Sequence, residues 1–203
     1  MFIINSPVED LIEINKQIFL LKIFSPEIAS IIKPGQFLNI RVSESVYPLL
    51  RRPFSVCDVD GEHIYILFNI MGQGTNILAH KPKGSEIDIL GPLGNGFNLH
   101  GNFETAVIVA GGLGAAPFPY FTRELIHKKE LLSFIGGRTK NDVISYNLKN
   151  VQEATEDGSL GFKGNVIQLL EKKYFNSKIN KDKNFCLWSN RNVKISERFL
   201  YKK

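Results

Sequence analysis

The run Thr105-Ala106-Val107-Ile108-Val109-Ala110 constrains the fold most, because all of its side chains are apolar or β-branched. Strand alternation sends them to both faces of a sheet, so both faces must be covered. Only an interior strand of a layered sheet meets that demand. The run stops at Gly111-Gly112-Leu113-Gly114. Pro117 then opens a helical stretch to about Lys128, since proline is favoured in a first helical turn. Leu131–Ile135 reads as a second buried strand, ending in Gly136-Gly137, and Gly164–Lys173 as another helix. Strand, glycine turn, helix and strand predict a parallel α/β unit.

The first half has a different rhythm. Phe19–Ile23, Phe37–Val42, Phe54–Val59, Ile64–Ile70 and Ile87–Leu90 are short apolar stretches. Pro34-Gly35, Asp60-Gly61 and Lys83-Gly84 punctuate them. This spacing predicts a small antiparallel barrel. The boundary between the halves falls near His100–Asn102, giving units of residues 1–101 and 102–185.

Charge and cysteine content narrow the class. The net charge of +5 hints at a polyanion partner, but residues 187–203 hold Arg191, Lys194, Arg198, Lys202 and Lys203 against Glu197. That is +4 in the tail, leaving +1 for the rest of the chain. Nucleic-acid binding is therefore not expected. No apolar run is long enough to span a bilayer, and Met1–Pro7 shows no signal peptide. Cys57 and Cys186 are too few and too far apart for a disulfide framework or a metal motif, so a cytoplasmic protein is expected. His63, His80, His100 and His127 show no ligand spacing.

Arg51-Arg52-Pro53-Phe54-Ser55 and Gly72-Gln73-Gly74-Thr75 carry the chemistry. A flavin dinucleotide needs a cation for its pyrophosphate, a polar atom near N5 of its ring and a flat apolar wall. Arginine forks onto phosphate oxygens, and glycine lets backbone approach closely. At strand spacing Arg52 and Phe54 share one face, and Pro53 and Ser55 the other. Each motif alone is also what a solvated arginine pair or a plain glycine turn looks like.

With Pro34-Gly35-Gln36-Phe37, Leu90-Gly91-Pro92-Leu93-Gly94-Asn95-Gly96-Phe97, Gly111-Gly112-Leu113-Gly114 and Asp157-Gly158-Ser159, these motifs resemble the ferredoxin–NADP reductase superfamily. The closer resemblance is to the electron-transfer subunits of class 1B, NAD-dependent dihydroorotate dehydrogenases. It implies a Greek-key β-barrel that binds FAD, followed by a Rossmann-like parallel α/β domain that binds NAD(H) and is incomplete at its C-terminus. It implies that Arg52, Pro53, Phe54 and Ser55 line the FAD, with Ser55 near N5 as the catalytic group. Leu67, Phe68 and Asn69 would form the next contact strand, and Gly74 and Thr75 would hold the pyrophosphate. Relatives often carry Arg or Lys where Asn69 stands. Gly111, Gly112 and Gly114 would form the phosphate turn for the nicotinamide dinucleotide. The implied partner is an FMN-containing dihydroorotate dehydrogenase catalytic subunit in pyrimidine biosynthesis. Alternatives are a subunit of a related NAD(P)H-dependent ferredoxin or sulfide oxidoreductase, and a non-catalytic flavin-binding fragment.

After Phe185 the resemblance implies a strand ending in Cys-Gly-Pro, a helix and a cysteine cluster binding [2Fe-2S]. Here Cys186-Leu187-Trp188-Ser189 follows, and no such cysteines are present. Back-translated, this tail can be written so that removing one T from the codons for Phe185 and Cys186 restores Phe-Val-Cys-Gly-Pro-Thr-Glu-Met-Leu-Lys. Residues 186–203 are therefore expected to be an aberrant, frameshifted tail. The missing last strand and helix would leave an unpaired sheet edge.

Overall fold

The computed structural model describes residues 1–100, 103–175 and 185–189. Two compact units divide between Phe97 and Asn98.

The first unit is all but helix-free. Its strands are β1 (Phe2–Asn15), β2 (Ile18–Phe24), β3 (Phe37–Arg41), β4 (Arg52–Asp60), β5 (His63–Asn69) and β6 (Glu86–Leu93). Two short helices intervene, α1 (Pro26–Ala29) and α2 (Gln73–Leu78). The strands close a barrel in the order β1-β2-β5-β4-β3-β6. β3, β4 and β5 follow one another, and β6 returns beside β3, which is a Greek key. Leu21, Ile23, Leu38, Ile40, Val56, Ile64, Ile66 and Ile89 fill the interior at 0% exposure.

All five predicted strands are present, and β1 is additional. Its residues bury little: only Ser6 and Val8 are fully enclosed. The strand is long because it serves two partners. Phe2–Pro7 pairs with β6, and the stretch from Val8 onward pairs with β2. Ladder hydrogen bonds hold it more than an apolar stripe does, so alternation gives no signal there.

In the second unit, β7 (Thr105–Gly111), β8 (Glu130–Gly137), β9 (Val151–Thr155), β10 (Phe162–Lys163) and β11 (Phe185–Ser189) form a parallel sheet. Their order is β10-β9-β8-β7-β11. Helices α3 (Phe118–Leu125) and α4 (Val166–Leu170) are short. The opening run behaves as its composition demands. Val107 and Val109 join Phe134, Ala154, Val166, Leu169 and Leu170 in one core cluster. Ala106, Ile108 and Ala110 alternate to the other face and are equally buried. On α3, Phe118, Phe121, Thr122 and Leu125 are buried at helical spacing.

The sheet corrects the expected C-terminal edge. Phe185–Ser189 pairs in parallel with Thr105–Val109, so the flank of β7 is covered and the strand includes the first four residues assigned to the tail. Strand addition is held by backbone hydrogen bonds, which do not depend on a Cys-Gly-Pro sequence. The rest of the expected tail, residues 190–203, lies outside the described residues.

The turn after β9 depends on Gly161, whose φ is +66° and whose added Cβ would lie 2.3 Å from the Glu153 carbonyl oxygen. Neither fault has a flexible neighbour to absorb it. Gly161→Ala is expected to cost about 1–3 kcal/mol in the stability of this unit, read by urea unfolding.

Candidate functional site

The adjacent arginines divide their tasks. Arg51 clamps the barrel: its Nη2 donates to Asp88 Oδ2 at 2.6 Å, and its Nη1 donates to the carbonyls of Asp88 at 3.1 Å and Asn39 at 3.4 Å. Arg52 turns the other way. Its Nη1 donates to the Leu50 carbonyl, and its side chain lies directly over Gly74. A Cβ on Gly74 would stand 2.6 Å from Arg52 Nε and 3.1 Å from its Cζ. The sequence Gly72-Gln73-Gly74-Thr75 therefore supplies the flat seat on which a guanidinium rests.

Thr75 shapes the same loop. Its hydroxyl accepts from Met71 N at 2.8 Å and Gly72 N at 3.2 Å, and donates to the Gly72 carbonyl at 3.1 Å. Asn69 closes β5, its Nδ2 donating to Met71 Sδ at 3.2 Å. The loop is thus preformed, with Gly74 against Arg52 and with Asn69 and Thr75 tied to Met71 in the same loop.

The apolar members go elsewhere. Phe54, Leu67 and Phe68 are 8%, 3% and 1% exposed. Phe68 stacks on Phe19 at 5.7 Å between ring centroids and meets Phe54 edge-on at 5.9 Å. They make the floor of the barrel beneath the site. Pro53 is exposed and Ser55 half-buried, so the outer face of β4 is the one open to a ligand.

Two other motifs in the resemblance are structural. Phe97 N donates to the Pro34 carbonyl at 2.7 Å, and Gln36 Nε2 donates to the Gly94 carbonyl at 2.8 Å. They tie Pro34–Phe37 to the loop after β6. Cys57 is buried, and that burial pushes its thiol pKa up, away from reactivity.

The second unit holds a cleft of about 530 Å³ at the C-terminal ends of its strands, where open α/β sheets take their ligands. Gly111, Gly112 and Leu113 form one wall after β7, and Gly136, Gly137 and Arg138 another after β8. Gly114, expected to join them, does not line the cleft. Asp142, Glu156 and Asn165 also face it. Arg138 Nη2 reaches Asp142 Oδ1 at 3.3 Å. Burial opposes ionisation of Asp142, but the Thr139 N–H and Arg138 outweigh it and hold the carboxyl below its ordinary range. Asp157 accepts from Ser159 Oγ at 2.7 Å and Ser159 N at 2.9 Å, which keeps its carboxyl low as well. Ser159 Oγ in turn accepts from Lys140 N at 2.8 Å, pinning the wall after β9 to the one after β8.

The polar residues of this cleft escape a reading of the sequence. Arg138 and Asp142 belong to the connection after β8, Glu156 to the one after β9 and Asn165 to the one after β10. The signal for them is positional: all lie in connections that leave the strands on the side where β7 ends in glycine. No group of side chains able to hold a metal ion occurs among the described residues.

No family model matches the chain. It is 37% identical over 156 residues to the dihydroorotate dehydrogenase B (NAD(+)) electron transfer subunit of Desulforamulus reducens, covering 73% of this chain and 60% of that protein. It is 38% identical over 168 residues to the same subunit of Bacillus cereus, covering 78% of this chain and 65% of that protein. The chain thus spans less than two thirds of the length of these relatives. Among solved structures, the NADH-dependent reduced ferredoxin–NADP oxidoreductase superposes with a TM-score of 0.77 at 25% identity, over 91% of this chain and 66% of that one. Phthalate dioxygenase reductase superposes with a TM-score of 0.68 at 15% identity, over 92% of this chain and 60% of that one, which shows the fold alone. These likenesses make the chain similar to dihydroorotate dehydrogenase B electron transfer subunits over the part of them that it spans, and the barrel and parallel sheet are those of the ferredoxin reductase fold.

Proposed function

We propose that the first unit binds FAD, that the cleft of the second binds NADH, and that the chain passes electrons from NADH to a partner subunit. The observation that carries this reading is the Arg52 guanidinium resting on Gly74, a preformed anion anchor with an open strand face beside it. Pro53 and Ser55 on that face would meet the flavin ring, with Ser55 presenting a hydroxyl near N5. Bound FAD supplies the hydride chemistry. The protein's part is to hold the phosphates, orient the ring and keep the barrel rigid beneath it.

In the second unit, Gly111 and Gly112 leave room for a dinucleotide phosphate against the start of the next element. The charges around them favour NADH. Arg138 is already paired to Asp142, and Glu156 adds a second carboxylate to the cleft, with no ion pair to it among the described residues. A 2′-phosphate would face that surplus negative charge. The expected ratio of kcat/KM for NADH over NADPH is about tenfold or more. Glu156→Gln is expected to narrow it. Equal rates for the two cofactors in the unaltered chain would count against this assignment.

The partner in this reading is an FMN-containing dihydroorotate dehydrogenase catalytic subunit; its support is that the relatives are named electron transfer subunits of dihydroorotate dehydrogenase B. A [2Fe-2S] centre does not fit: the sequence holds two cysteines, and Cys57 is enclosed in the barrel. No helix among the described residues is long and apolar enough to cross a membrane; a cytoplasmic setting is part of the proposal. The test is to purify the chain with FAD and follow NADH oxidation with a dye acceptor. Flavin absorbance with NADH-dependent dye reduction is expected. A colourless protein that takes up no FAD would refute the reading.

A further inference from the structure

Asp157-Gly158-Ser159 stands beside the cleft of the second unit, and none of the three lines it. Its hydrogen bonds lead to residues that do. β8 and β9 stop at Gly137 and Thr155, which are register partners. Backbone pairing continues past them: Glu156 N donates to the Gly137 carbonyl at 3.1 Å, and Asp157 N to the Arg138 carbonyl at 3.1 Å. Beyond that a side chain takes over. Lys140 N donates to Ser159 Oγ at 2.8 Å, and Ser159 Oγ donates to Asp157 Oδ1 at 2.7 Å.

The acceptor role of Ser159 matters because of what Lys140 begins. Lys140–Asp142 is a single helical turn, and first-turn N–H groups have no partner within a helix. Thr139 serves Asn141 N through its hydroxyl at 3.2 Å and Asp142 N through its carbonyl at 3.0 Å. Lys140 N is served from the connection after β9, by Ser159. The turn carries Asp142, whose carboxylate meets Arg138 at 3.3 Å. Ser159 therefore fixes this ion pair relative to Glu156, the carboxylate of the neighbouring wall. The Ser159 hydroxyl and N–H hold the Asp157 carboxyl below its ordinary range, so the brace ends on an ionised acceptor at neutral pH. A serine that only closed its own turn would bond Asp157 alone; the bond from Lys140 ties it to the wall after β8.

We propose that Ser159, braced by Asp157, is a positioning residue for the dinucleotide: it holds Arg138 and Asp142 in place against Glu156 and so sharpens the choice of NADH over NADPH. This rests on the nicotinamide reading above. With the brace gone, Glu156 is free to move away from the Arg138–Asp142 pair. A dinucleotide without the 2′-phosphate then meets a looser wall. One with it meets a looser wall but also a carboxylate that can retreat from its phosphate, so it loses less.

The test measures Kd for NAD+ and NADP+ by titration calorimetry on the full chain, where no electrons flow, beside thermal unfolding. Ser159→Ala removes the hydroxyl, Asp157→Ala removes its brace, and Ser159→Thr keeps the hydroxyl. Both positions are exposed, so thermal unfolding should be little changed. NAD+ binding is expected to weaken about three- to tenfold in both alanine variants, and the preference for NAD+ over NADP+ to shrink about threefold. Ser159→Thr should restore both. Unchanged affinities in Ser159→Ala, equal weakening of the two dinucleotides, or failure of Ser159→Thr to restore them would overturn the positioning role while leaving dinucleotide binding intact. An unaltered chain that binds neither NAD+ nor NADP+ would instead sink the nicotinamide reading and this proposal with it.

Discussion

Gly74→Ala is expected to strip the chain of most of its flavin affinity while leaving the barrel folded. The new methyl would stand 2.6 Å from Arg52 Nε, too close for both to stay. Arg52 is a long side chain near the surface and can swing aside, so the stability cost is small. What is lost is the position of the guanidinium. Gly74 is not at positive φ. Its requirement is for space and not for backbone freedom, and any side chain there displaces the anchor. Arg52→Ala removes the anchor itself. Hydrogen bonds to charged groups contribute about 1.5–3 kcal/mol, so a loss of roughly 10–100-fold in FAD affinity is expected. Arg52→Lys should fall between, keeping the charge but not the fork. Fluorescence titration with FAD, run beside thermal unfolding, separates the two effects. FAD affinity unchanged in both Gly74→Ala and Arg52→Ala would show that the phosphate sits elsewhere. A similar change at Arg51 should act differently. Arg51 is spent on Asp88 and on two backbone carbonyls, so its loss should be felt as lost barrel stability.

The contrast between the two arginines shows how much of the site is legible in sequence. The pair is visible, and its strand spacing predicts opposite faces. Which arginine meets the ligand depends on Asp88 and Gly74, far off in the chain, and no local pattern reveals them. The fold is more legible. Thr105–Ala110 announces a buried parallel strand because no other setting accepts so many apolar side chains in a row. Turn-punctuated strands announce the barrel. β1 is hidden because its sequence need only supply backbone to two neighbours. The cleft of the second unit is hidden for a related reason. Parallel register sets Gly137 beside Thr155, and only then do Arg138 and Glu156 share a wall. Strand β11 shows the converse: backbone pairing accepts a sequence that does not match what the resemblance implies.

Phe68→Ala is expected to cost about 3–5 kcal/mol in the stability of the first unit, the range for truncating a buried phenylalanine. The resemblance places Phe68 in the cofactor's contact strand, and the structure places its ring at 1% exposure between Phe19 and Phe54. Those positions make different demands. A ring that covers the flavin can be removed with loss of affinity and little loss of stability. A ring that joins two others in a closed barrel cannot. Its removal opens a cavity beneath β4 and β5, and a barrel has no free edge through which to collapse into it. For a unit of this size, the lost free energy lowers Tm by at least about 10 °C. The effect on FAD should follow indirectly, because β4 carries Arg52 and Ser55 on the strand that Phe54 and Phe68 support. Phe68→Leu discriminates between the two demands. It restores much of the volume without the flat face, so it should recover most of the stability. If Phe68 lies under the site, FAD affinity recovers along with it. If Phe68→Leu regained stability but left FAD affinity as low as Phe68→Ala, the ring would have to touch the flavin directly, and its burial in the barrel would be a closed state that the cofactor opens.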